Sequence, residues 1–212
     1  MAQRTIHYLF GEIISNEIEL EDKERFLLGS IMPDAVREDD RDKSHFIVRT
    51  DRLAYFDFEA YRDKYFQQMC LDDLYLGYYM HLIVDAFYRV FIYRDCFTMP
   101  RAREEVKLLH NDYHILNSYI VKKYNIRNIL EKNVVLGNEI IVELAAFGVD
   151  KLLEELSNDF VEQVEGNTVF LTENMVEEFV EIYIPLAIEE IRSIKNGKSI
   201  LNVKDYVWKK KR

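Results

Sequence analysis

Cysteine is scarce in this sequence. The two present, Cys70 and Cys96, belong to no CxxC pair, which excludes a disulfide framework and reads as core or partly exposed thiols. Glycine and proline are also few, at seven and three. With so few breakers, long helices are expected. No run approaches the roughly 18 charge-free apolar residues that a membrane-spanning helix needs. The opening Met1-Ala-Gln-Arg-Thr-Ile-His7 lacks the charged-then-apolar pattern of a signal peptide, so a cytoplasmic location is expected. Basic charge is in deficit: the formal net charge is -10. That argues against nucleic-acid binding through a general basic surface. The Lys209-Lys-Lys-Arg212 tail is too short to change this and reads as a solubilising terminus. What remains is an ordinary globular balance, 49% hydrophobic and 31% charged over 212 residues, enough for one compact domain with a core.

Apolar spacing of helical period recurs along nearly the whole chain. It predicts helices over 4–15, 21–31, 57–69, 71–97, 102–124, 138–157 and 173–195. Pro33 stops or bends the second, Pro100 breaks the chain before the fifth, and Thr172 to Asn174 starts the last. The charged stretch 35–52 reads as a loop and Gly166-Asn167 as a turn. Thr168-Val-Phe-Leu171 is strand-like but too short for a sheet. The expected fold class is all-α: a single domain of about seven helices around a buried central helix.

The segment Gly77-Tyr-Tyr-Met-His81-Leu-Ile-Val-Asp85 carries the chemistry. His81 and Asp85 are four residues apart, on one face of a helix that is apolar all round. An ionised carboxylate buried there needs a cation or hydrogen-bond donors. A core histidine bonded to an aspartate satisfies that need, and so does a metal ion. The other histidines are His7, His45, His110 and His114, so all five lie in the first 114 residues. Imidazole and carboxylate together suit zinc first, although iron, manganese or nickel accept the same ligands. Asp34 follows Pro33 at the end of an apolar helix, and His45 joins the charged stretch to Phe46-Ile-Val48. Asp112 falls inside the apolar band of its helix, with His110 and His114 at the edge. Asp112 is therefore the better candidate for a ligand, or for a group supporting one. Tyr78 and Tyr88, a turn either side of the HxxxD pair, line a pocket or pack in the core.

Taken in order, His7, Gly29-Ser-Ile-Met-Pro-Asp-Ala35, Ser44-His45-Phe46 and Gly77 to Asp85 resemble the zinc-dependent phospholipase C family, which is related to the single-strand-specific fungal nucleases. Leu109-His-Asn-Asp-Tyr-His-Ile-Leu-Asn117 resembles a stretch of its short bacterial members. The resemblance covers about residues 4–125, leaving 126–212 as helical scaffold. It implies an all-helical fold, two or three divalent metal ions, and hydrolysis of a small-molecule or lipid phosphate ester. By the resemblance, Asp34, His45, His81 and Asp85 hold one metal. Asp85 bridges to a second that His7 also binds, and Asp34 doubles as the catalytic group that orients or deprotonates the attacking water. The chain departs from the secreted members in having six residues before His7 and Phe91 where their third site has histidine. Two alternatives stand beside this reading. One is a non-catalytic helical protein with a structural or vestigial metal site. The other is an HD-type phosphohydrolase, although the chain has no His-Asp dipeptide.

Overall fold

The computed structural model describes residues 1–36, 38–92, 103–130, 136, 141–144 and 148–209. Among them are eight α-helices: α1 (Arg4–Glu17), α2 (Lys23–Ile31), α3 (Arg41–Ser44), α4 (Phe58–Leu71), α5 (Asp73–Val90), α6 (Arg103–Tyr124), α7 (Val149–Val161) and α8 (Glu173–Lys195). Three short strands, β1 (Ile47–Arg49), β2 (Leu53–Phe56) and β3 (Trp208–Lys209), form an antiparallel sheet in the order β1-β2-β3. The expected all-α class holds, and among the described residues no helix is long and apolar enough to cross a membrane.

Helix starts follow the local chemistry. Asp22, Asp57 and Thr172 each accept a hydrogen bond from the backbone N–H three residues on, and Asp72 from the one two residues on. Asp72 also sets the boundary between two helices two residues beyond the break that the apolar period places at 70, since α4 ends at Leu71 and α5 starts at Asp73. Pro33 ends α2 in a 3-10 turn, Met32–Ala35. Pro185 lies within α8 without ending it. It sits on the exposed side of the helix, where water can hydrate the carbonyl that loses its N–H partner.

Every residue of α5 except Arg89 is buried. Helix α2 makes the most extensive packing against it, followed by α4, while α1 and α8 also pack on it. The α2–α5 crossing is close because glycine faces backbone on both sides. A Cβ at Gly29 would lie 2.1 Å from the Leu74 carbonyl oxygen, and one at Gly77 would lie 2.1 Å from that of Phe26. No side chain fits at either position.

Several expectations are corrected. The charged 35–52 stretch is structured: it holds 3-10 turns, α3 and β1. Thr168 to Leu171 forms no strand, and the sheet uses other segments. Of the expected 138–157 helix, the described residues form a 3-10 turn at Val142–Leu144 and the start of α7 at Val149, while 138–140 and 145–147 lie outside them. Cys96, Pro100 and the end of the tail after Lys209 lie outside the described residues, and Cys70 is an exposed free thiol.

Candidate metal centre

Four pieces of chain converge at the middle of α5. Helix α5 supplies His81 and Asp85, and the first turn of α1 supplies His7. The 3-10 turn made by Pro33 supplies Asp34. His45 comes directly after α3. Phe46, the next residue, has φ 51°, the left-handed region that a bulky side chain rarely adopts. It is held there by its N–H bonding the Lys43 carbonyl, by its own carbonyl accepting from Asp57 N–H, and by the edge of its ring against Tyr61.

The rings are oriented from behind. His81 Nδ1 lies 2.8 Å from the Ser30 carbonyl oxygen, which can only accept, so Nδ1 carries the proton. The glycine-to-backbone crossing of α2 and α5 brings that carbonyl within reach. His45 Nδ1 lies 3.0 Å from the Arg41 carbonyl and 2.9 Å from Ser44 Oγ, while Ser44 Oγ donates to the Pro33 carbonyl. Both rings therefore turn an unprotonated Nε2 toward the carboxylates.

At the centre several polar atoms have no hydrogen-bond partner among the described residues. Both nitrogens of His7, Nε2 of His45, Nε2 of His81 and Oδ2 of Asp85 are buried without a hydrogen bond. His7 Nε2 is 3.4 Å from Asp85 Oδ1, and His45 Nε2 is 3.4 Å from Asp34 Oδ1. His45 Nε2 and His81 Nε2 are each 3.7 Å from Asp85 Oδ2. The His7 and His81 rings stack at 3.6 Å. Lone pairs facing a carboxylate in a dry interior repel it, and unpaired buried polar atoms are costly. A cation among them removes both penalties. The spacing suits one, because ligands about 2.0–2.2 Å from a tetrahedral ion are about 3.4 Å from each other. Two groups of donors meet this description: His7, Asp34 and His81, and His45, His81 and Asp85. Within each group the ligand atoms lie within 4.8 Å. These buried side chains can hold a metal ion.

The protonation states agree with ligation. Burial, then the neighbouring His7, holds His81 well below its ordinary value, so its Nε2 stays a lone pair. Burial opposes ionisation of Asp34 and Asp85. A proton on the facing imidazole, His45 for Asp34 and His7 for Asp85, outweighs it, so both carboxyls titrate below the usual range in the metal-free protein, and a bound cation would supply that positive charge in the proton's place.

A cleft of about 840 Å³ opens beside this cluster, lined by α6, α7 and residues 1–4. Of the five clustered side chains only Asp34, 11% exposed, reaches the cleft, whereas the other four are fully buried. Ala2 N–H donates to Asp85 Oδ1 at 2.7 Å, so the segment before α1 lies directly over the centre.

Asp112 is not brought into the centre. Its carboxylate accepts from the N–H groups of Val169, Phe170 and Leu171 at 2.9, 2.6 and 3.0 Å. Three donors satisfy a buried carboxylate without a metal, so its place in the apolar band reflects an anchor for the segment leading into α8. His110 and His114 are exposed and line the cleft. Tyr78 is core: it stacks on Tyr61 at 4.8 Å, and its hydroxyl donates to the Ser44 carbonyl beside His45. Tyr88 is buried edge-on against Phe179. The reading from sequence missed Ser30, whose role is a backbone carbonyl and leaves no side-chain signal. It also missed the chain of hydrogen bonds linking Gln3, Thr5, Asn117, Asp159 and Arg4, which ties the start of α1 to α6 and α7.

Compared with models of known protein families, with curated proteins and with solved structures, the chain matches none.

Proposed function

We propose that the protein is a metal-dependent hydrolase of phosphate esters, with zinc as its metal, akin to the zinc-dependent phospholipase C family that its motifs resemble. One observation carries the reading: a cluster of unpartnered buried imidazole and carboxylate atoms that meets a large cleft through a single carboxylate, Asp34. A divalent ion bound there supplies Lewis acidity toward a phosphoryl group and makes water more acidic. The protein's part is to hold His7, His45, His81 and Asp85 in fixed orientation, through the Ser30 and Arg41 carbonyls behind two of the rings. Asp34, kept ionised at the cleft wall, accepts the proton of the attacking water.

A structural metal is the second reading. It is favoured by the burial of four of the five side chains and by Ala2 N–H covering Asp85. Hydrolysis of p-nitrophenyl phosphate and of its bis-ester by zinc-loaded protein separates the two. Turnover that a chelator stops, zinc restores and Asp34→Asn abolishes supports the hydrolase. Bound zinc with no turnover of either ester supports the structural reading.

A further inference from the structure

Arg41 serves the centre through its backbone, whose carbonyl accepts from His45 Nδ1. Its side chain points elsewhere. The guanidinium lines the cleft and is 42% exposed, with one nitrogen 3.5 Å from Asp34 Oδ1, at ion-pair rather than hydrogen-bond geometry. Its Nε is buried with no acceptor. Of the other cationic side chains of the cleft, Arg4 gives both terminal nitrogens to Glu155 and Asp159, and Lys151 pairs with Glu155, while burial disfavours the charged form of the Met1 amino group. Across from Arg41, α6 presents His110 and His114 one turn apart. All three groups line the same cleft, and burial, then the charges of Arg41 and His114, holds His110 below its ordinary value. An anionic ester approaching Asp34 meets a carboxylate, and the donor-rich Arg41 beside that carboxylate offsets the repulsion on the cleft side.

We infer that Arg41 is the phosphoryl-binding residue of this cleft, taking two non-bridging oxygens of a phosphate ester while His110 donates to the same group from α6. The inference rests on the hydrolase reading above. A guanidinium presents parallel N–H groups that match two phosphate oxygens, which an ammonium cannot do.

The test is calorimetric titration of zinc-loaded protein with inorganic phosphate, with metal content measured on the same samples. Arg41→Ala is expected to keep its zinc and lose phosphate affinity by about tenfold or more. Arg41→Lys should recover only part of that, and His110→Ala should show a smaller loss than Arg41→Ala. Phosphate binding by Arg41→Ala within about twofold of the unaltered protein, at equal zinc content, overturns the inference. So does a loss of zinc in step with the loss of phosphate, because that assigns the side chain to holding Asp34. Failure of the unaltered protein to take up zinc is a separate result, which removes the metal reading and this inference with it.

Discussion

Replacing Gly77 with alanine probes the step that builds the centre. The new Cβ would stand 2.1 Å from the Phe26 carbonyl oxygen and 3.0 Å from Ser30 N, where ordinary contact begins at 3.4 Å. Both are backbone atoms, so no side chain can swing away and α2 and α5 must part by about 1 Å. The His81–Ser30 hydrogen bond, 2.8 Å long, would then exceed hydrogen-bonding distance. Overpacking costs about 1–3 kcal/mol and the orphaned buried carbonyl about 1–3 more, against about 1 regained from helix propensity. A net loss near 3 kcal/mol corresponds to a fall in Tm of roughly 6–12 °C for a chain of this size. With its ring no longer fixed, His81 should also lose zinc affinity by about tenfold. Thermal unfolding followed by circular dichroism, paired with a zinc titration, reads both effects. Gly148→Ala is the control, since nothing lies within 4 Å of that position. A Gly77→Ala protein with the Tm and zinc affinity of the control would refute the crossing as the device that orients His81.

Tyr78→Phe removes the donor to the buried Ser44 carbonyl. It is expected to cost about 1–3 kcal/mol in denaturant unfolding while zinc content stays unchanged. Asp112→Ala strands three N–H groups and should lower stability by about 2–4 kcal/mol, again without loss of metal, so a metal-free variant would return Asp112 to the ligand set. For the metal-free protein, the unfolded chain binds a proton at His81 near pH 6.5 that the folded chain refuses. Stability should therefore decline as the pH falls below 6.5, by up to about 1.4 kcal/mol per unit, and a Tm flat from about pH 8 to about pH 5 would contradict it. Asp34 and Asp85, depressed in the fold, add a further loss only below about pH 4, as they become protonated.

Much of this molecule was legible before the structure. The helical period marked α1, α2, α4, α5, α6 and α8, with the Thr172 cap for the last, because amphipathic helices write their packing into spacing. The HxxxD pair, His7, Asp34 and His45 do converge, since buried ionisable groups on apolar faces need one another. The sheet was not legible: β3 has two residues and pairs with β2 from the far end of the chain, which no local pattern encodes. Asp112 was misassigned because a buried carboxylate looks the same in sequence whether a cation or backbone N–H groups satisfy it. Glu190 shows the same ambiguity. It is fully buried in α8 and accepts from Tyr79 and Ser199 hydroxyls and from Ile200 and Leu201 N–H. Its place beside Ala187, Ile191 and Ile194 on the apolar stripe was the available signal. Gly29 and Gly77 could be read as motif members, but their close approach to backbone is a tertiary fact.

Metal binding by the buried imidazoles and carboxylates is the property on which the proposed chemistry depends. Elemental analysis of protein purified without an affinity tag or chelator tests it most directly, on the unaltered chain and on His81→Ala. At least about one equivalent of zinc or a similar divalent ion per chain, lost in His81→Ala while helix content is kept, is the expected result. A metal content well below one equivalent that dialysis against zinc does not restore would contradict it.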